Sequence, residues 1–215
     1  MRTHITILLT LILLISVAFD STARTIKDVF VNTPDDVLQL LSQRTRMDMI
    51  DYLNDGRMVD VANNLGKPSH LNRATDNYLS LQLTATTEVE MQLVPVSPKD
   101  TVIIMVTTVN LPARDSRIRV FGFDWQPRQV EAYVKVPSMK DFVKIPKGDK
   151  TRRETVLNAI EFPIISYSIN PENNTIIARQ GLKDYMSKDD YERIAPYLRD
   201  SVTLERKGKV FKIKK

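Results

Sequence analysis

Leu79-Ser80-Leu81-Gln82-Leu83-Thr84 alternates apolar and polar residues at every step, the period-2 pattern of a half-buried β-strand. Glu88-Val89-Glu90-Met91-Gln92-Leu93 repeats the alternation after three residues. Thr101 to Val109 is apolar on both faces, with Val102, Ile104 and Val106 opposite Ile103, Met105 and Val109, as suits a central strand. Arg117 to Phe123 and Gln129 to Val136 complete five runs, the last placing Val130, Ala132, Val134 and Val136 on one face. The gaps are too short for helical crossovers, so the five strands are expected to pair antiparallel as a meander. In this register Ile104 belongs to the core and Ser80 to a polar face.

Upstream of the meander, Ile26 to Val31 reads as a short docking strand. Thr33-Pro34-Asp35-Asp36 predicts a helix start, with Thr33 as N-cap, Pro34 in the first turn and two carboxylates at the positive end of the dipole. Val37, Leu38, Leu40 and Leu41 form its first stripe, which resumes at Met47, Ile50 and Leu53 after a break near Gln43-Arg44-Thr45. Met58, Val59, Ala62 and Leu65 predict a second, shorter helix ending at Gly66. Downstream, Pro137 to Arg153 reads as a basic, proline-containing loop or ragged helix, followed by a turn or two of helix over Glu154 to Ile160. Hairpins are expected around Asn170-Pro171-Glu172-Asn173-Asn174 and around Lys207-Gly208, with a short helix capped by Ser187 between them. The expected fold class is α+β: two N-terminal helices packed on an antiparallel β-meander, extended by C-terminal hairpins.

The chain has 215 residues, 42% apolar and 27% charged, a composition suited to one globular domain. Residues 1–23 read as a secretory signal peptide, leaving 24–215 as the domain. Arg2 is a positive start, Ile5 to Phe19 an apolar run too short to span a bilayer, and Ser21-Thr22-Ala23 a small-residue cleavage region. Without any cysteine the chain can carry neither a lipid-bearing cysteine nor disulfides. The reading is therefore an exported protein with no stable membrane anchor after cleavage, the periplasm being the simplest destination and the extracellular space the other. The last eleven residues, Glu205 to Lys215, hold six basic residues against one acid. Such a tail can attract polyanions, but export argues against nucleic acid. Lysines on an edge strand that discourage pairing explain it better.

Asn32-Thr33-Pro34-Asp35-Asp36, Arg46-Met47-Asp48-Met49-Ile50-Asp51, Thr75-Asp76-Asn77-Tyr78-Leu79-Ser80-Leu81-Gln82-Leu83 and Val89-Glu90-Met91-Gln92-Leu93 resemble exported Bacteroidales proteins grouped as a domain of unknown function. The resemblance covers the mature chain and implies export, a bacterial envelope setting and an unassigned role. It transfers no catalytic residue.

Chemistry-bearing motifs are scarce. His70 is the one histidine outside the signal and sits in an expected surface turn. Zinc sites built on cysteine or paired histidines are excluded, the six glycines form no phosphate cradle, and no Ser-x-x-Lys occurs. No catalytic residue, cofactor site or metal site is assigned. Asp48, Asp51 and Asp55 share one helical face, which could serve a carboxylate-based glycan hydrolase only if they flanked a cleft; a solvated face is the simpler account. The candidate interaction surface is Arg117, Arg119, Phe123, Asp124, Trp125 and Arg128. Phe121, Phe123 and Trp125 share a face with Arg117 and Arg119, either as a hairpin whose Trp125 packs over the core rim or as an aromatic–arginine patch. A non-enzymatic module binding an envelope protein, peptide or glycan is the leading functional expectation, and the glycan hydrolase is the alternative.

Overall fold

The computed structural model describes residues 24–214; the signal-peptide reading of residues 1–23 lies outside them. The architecture is α+β, with eleven strands in two antiparallel sheets. A seven-stranded sheet runs in chain order: β1 (Val61–Ala62), β2 (Pro68–Ala74), β3 (Tyr78–Thr84), β4 (Thr87–Ser97), β5 (Asp100–Asn110), β6 (Arg114–Gly122) and β7 (Pro127–Arg128). A second sheet has the order β11-β10-β9-β8, formed by Ile165–Asn170 (β8), Thr175–Gln180 (β9), Ser201–Lys207 (β10) and Val210–Ile213 (β11).

The period-2 reading holds through β3 to β6 and divides the core in two. Leu79, Leu81, Met91, Ile103, Met105 and Phe121 face the N-terminal segments, among Ile26, Phe30, Leu38, Leu41 and Ile50. Val102, Ile104, Val106, Ile118 and Val120 face the opposite way, onto Ile165, Ile176, Leu204 and Phe211 of the second sheet. β5 is apolar on both sides because both are covered. The face bearing Ser80 is covered too, which alternation alone does not reveal, and Ser80 pairs directly with Glu90.

The N-terminal third departs from expectation. Ile26–Val31 is a helix, α1, rather than a strand. Its start is a capping box in which Asp28 N–H donates to Thr25 Oγ1 (3.3 Å) and Thr25 N–H to Asp28 Oδ2 (2.9 Å). The helix expected from Pro34 stops at isolated turns, Val37 and Leu38 N–H both returning to Pro34 O. Leu38 and Leu41 are buried all the same, so the apolar stripe was correct and the helix was not. The cause is Arg46, on helix α2 (Gln43–Asn54), which starts where a break was expected, at Ser42, whose Oγ accepts from Thr45 N–H at 3.1 Å. The fully buried Arg46 guanidinium donates to the carbonyls of Val31 (3.2 Å), Thr33 and Leu41 and to Asp35 Oδ1 (3.2 Å). These carbonyls find a charged donor where a helix would have supplied N–H groups.

Met58 to Leu65 forms no helix. Met58 and Leu65 are exposed, and β1 turns back onto β2 around Asn63, whose Oδ1 accepts from Leu65 N–H (2.9 Å) and Lys67 N–H (3.2 Å). The expected fifth long strand, Gln129 to Val136, is likewise replaced. After the two residues of β7 the chain makes a 3₁₀ turn at Val130–Ala132, and Val134 alone bridges Phe211 in the second sheet. This segment carries the chain from one sheet to the other, so it cannot stay in register with β6. Helix α3 (Met139–Phe142) falls in the stretch read as a loop or ragged helix, and α4 (Lys150–Asn158) starts four residues before the expected Glu154 because Asp149 caps it. Helix α5 (Lys188–Ile194) and both C-terminal hairpins follow where expected.

The two sheets are stitched along β8, the edge strand of the second sheet. The N–H groups of Ile165, Tyr167 and Ile169 donate to Asp115 Oδ1 (3.3 Å), Ser116 Oγ (3.0 Å) and Glu90 Oε1 (3.2 Å), all from the first sheet. Glu90 also accepts the Tyr78 hydroxyl at 2.6 Å. Burial raises the Glu90 carboxyl above its ordinary value near 4.5, against the hydrogen bonds from Tyr78 and Ile169, which lower it. A raised carboxyl keeps its proton longer in the folded state, so stability should fall as pH rises from the ordinary glutamate range through the raised value. Glu90→Gln should flatten that slope in urea titrations across pH. Glu90→Leu should cost about 1–3 kcal/mol because Ile169 N–H and the Tyr78 hydroxyl lose their acceptor. An unchanged slope in Glu90→Gln would remove Glu90 as its source.

Candidate binding face

The candidate residues are set out along β6 and the turn after it. Arg117, Arg119 and Phe121 alternate on the helix-covered face, opposite Thr107, Met105 and Ile103 of β5. The strand ends at Gly122, so Phe123, Asp124 and Trp125 belong to a turn. Trp125 takes a left-handed backbone (φ 59°), donating its N–H to Gly122 O at 3.0 Å, while Asp124 Oδ1 accepts from Gln126 N–H at 3.1 Å. A Cβ on Gly122 would meet Asp124 Oδ1 at 2.5 Å and Arg128 Nη2 at 3.0 Å, so a larger residue would require these two exposed side chains to move aside.

The aromatic end of the row serves the core. The half-buried Trp125 ring lies 5.3 Å from Phe121, tilted by 57°, and both Phe123 and Trp125 pack on the helix-side core. Phe123 also borders a hollow shared with Arg24, Asp76 and Lys99, and Arg24 stands over its ring at 5.9 Å. Arg128 and Asp124 are exposed.

The arginine end is open. A groove of about 520 Å³ runs between the sheet and the overhanging loop 33–41. Leu83, Val89 and Met105 floor it, Val37 and Leu40 form one wall, and Val109, 43% exposed, forms part of the other. Arg119 crosses it, donating to Val37 O at 3.3 Å and lying 5.4 Å from the Phe121 ring, whereas Arg117 is exposed. Neither arginine has an ion-pair partner within 4.0 Å among the described residues. Burial, then the like charge of Arg117, hold the Arg119 guanidinium below its ordinary value, with Asp36 opposing. Asp36 and Asp115 line the groove as well, so an apolar floor is joined to two guanidinium and two carboxylate groups. The exposed Arg117, which makes no ion pair within 4.0 Å among the described residues, can donate to an acceptor on an apolar ligand.

The groove depends on a residue that periodicity cannot single out. Arg46 shapes the loop that makes its wall, and no spacing rule marks an arginine that bonds carbonyls across the chain. Val109, Val37 and Leu40 became groove residues only through that loop. The Thr25-x-x-Asp28 pattern, in contrast, was a readable helix signal.

The remaining candidates lie elsewhere. His70 is on β2 rather than in a turn, half-buried, its Nδ1 2.9 Å from Asp60 Oδ1. Asp48, Asp51 and Asp55 are all exposed along α2, and Asp55 pairs with Arg57 at 2.9 Å. Among the described residues no group of three or more histidines, aspartates or glutamates is arranged to hold a metal ion.

A family model described as "Protein of unknown function (DUF3256)" matches residues 18–211, nearly the whole chain. The chain belongs to the DUF3256 family. The resemblance to a family of unknown function is thereby borne out in that coarser form. Among solved structures, a domain of an uncharacterized protein from Porphyromonas gingivalis W83 has the same fold, with a TM-score of 0.77 at 21% identity over 88% of this chain and 97% of that one. No curated protein matches the chain.

Proposed function

We propose that this DUF3256 chain is an exported, non-enzymatic binding module of the bacterial envelope, most simply periplasmic, which takes a partner in the groove beside Arg117 and Arg119. The observation that carries the reading is the pairing of an open apolar floor with two neighbouring guanidinium groups that make no ion pair within 4.0 Å among the described residues, although Asp36 and Asp115 share the groove with them. Among envelope proteins, peptides and glycans, a peptide segment joining an aliphatic side chain to a carboxylate fits best. The aliphatic group would cover Met105 and Val109, and the carboxylate would accept from Arg117. Among described residues no helix is long and apolar enough to cross a membrane, which is compatible with export. The carboxylates weighed for glycan hydrolysis are spread along an exposed helix face and gain no support.

The test is a titration of the protein, prepared from the envelope fraction of its host so that its intact mass also reports a start at Arg24, with acidic aliphatic peptides. Amide shifts should cluster at Thr107, Val109 and Arg117, and Arg117→Glu with Val109→Ser should weaken binding by about tenfold or more, as expected for one lost charge-assisted contact and its apolar partner. Trp125→Ala should lower stability more than affinity. A folded Arg117→Glu, Val109→Ser variant that binds the same peptide unchanged would overturn the reading.

A further inference from the structure

A second surface, which adjoins the groove at Asp115 and Ser116, is marked by charge. Residues 139–153 carry six basic side chains and two carboxylates. Burial sorts them strictly: Met139, Phe142, Val143 and Ile145 are buried, while Lys140, Lys144, Lys147 and Lys150 are exposed. Both carboxylates are engaged locally. Asp141 Oδ2 accepts from Ser138 N–H (2.8 Å) and Ser138 Oγ–H (3.1 Å), and Asp149 accepts from Arg152 N–H (3.2 Å) and faces Arg152 Nε at 3.4 Å. The four lysines have no ion pair within 4.0 Å among the described residues. The segment is also held compact, because Arg153 donates to Ile145 O at 2.7 Å and to Lys140 O at 3.5 Å.

Exposed apolar groups lie alongside. Val136 is 45% exposed and, with Pro137, Leu157 and Ile160, lines a cleft of about 650 Å³ that Lys140 borders. Past the end of α4, Phe162 is 54% exposed and stacks edge-on with Tyr185 at 6.0 Å. Lysines unneutralised by their neighbours, with Lys140 bordering an exposed apolar cleft, are the composition of a surface that sits at a lipid–water boundary.

We infer that this face docks peripherally on an anionic lipid surface. The lysines attract the headgroups, and Val136 and the cleft beside Lys140 meet the apolar boundary beneath them. A soluble polyanion would use the lysines but leave the apolar cleft idle, which favours lipid as the partner.

Flotation of the chain from Arg24 onward, which holds both cores, with phosphatidylglycerol–phosphatidylcholine vesicles and with pure phosphatidylcholine vesicles tests the inference. Binding should be about tenfold or more tighter on the anionic vesicles and should weaken at high salt, since such attraction decays within a Debye length. The combined change Lys140→Glu, Lys144→Glu, Lys147→Glu and Lys150→Glu should abolish the preference while the melting temperature stays near that of the parent. Val136→Ser should weaken vesicle binding without altering retention on a polyphosphate column. Equal binding to both vesicle types, an unchanged preference in the folded lysine variant, or retention on polyphosphate with no vesicle binding would each overturn it.

Discussion

Arg46→Met should destabilise the protein by at least about 3 kcal/mol, the scale of removing one partner from a buried charged network. The buried guanidinium is the donor for the Val31, Thr33 and Leu41 carbonyls, and its charge meets Asp35 at 3.2 Å. Methionine fills much of the same space but donates nothing, and each orphaned buried carbonyl costs about 1–3 kcal/mol. Asp35 is largely exposed, so water can recover its share. Arg46→Lys should recover only part of the loss, because an ammonium cannot fork to carbonyls on several sides as the planar guanidinium does. Urea titration checks the magnitude. Hydrogen exchange should show lost protection over residues 31–41, and because that loop walls the groove, peptide binding should weaken with it. A melt and exchange pattern like the parent's would mean that something other than Arg46 holds the loop.

Ile104→Asp should be comparably severe, costing several kcal/mol or preventing folding. Ile104 is fully buried at the centre of β5, paired with Gln92 on one side and Val120 on the other, and its side chain points between the two sheets. A carboxylate there would be desolvated, with the buried, unpartnered Gln92 amide opposite it as the neighbouring donor. One neutral amide leaves a cost beyond about 2 kcal/mol even when the acid takes up a proton. Alternation alone marks Ser80→Asp as its mild counterpart. The fold removes that contrast, since Ser80 pairs across the ladder with the partly buried Glu90, and like charges directly opposite are unfavourable. Thermal melts should rank Ile104→Asp as the more damaging change and still show a measurable loss in Ser80→Asp. A Ser80→Asp melt identical to the parent's would mean that this face is wetter than the packing of the second sheet implies.

The meander was legible because a half-buried strand writes its geometry into its own residues. β3, β4 and β6 alternate, β5 is apolar on both sides, and the joining gaps leave room only for antiparallel turns. The C-terminal hairpins and the Ser187-capped helix were legible for a similar reason, since their turn and cap residues act within a few positions of themselves. The arginine row of the candidate face was readable as residues sharing one side of β6, but the groove was not. By itself the sequence determined the fold class, the faces of the central strands and the apolar residues that those strands bury. Only the tertiary structure decided that Ser80 faces a second sheet, that Gln129 to Val136 crosses between sheets, and that Thr33 to Leu41 becomes a groove wall instead of a helix. Those outcomes turn on partners brought together across the chain, a guanidinium for backbone carbonyls and one sheet for the face of another, and local periodicity carries no record of them.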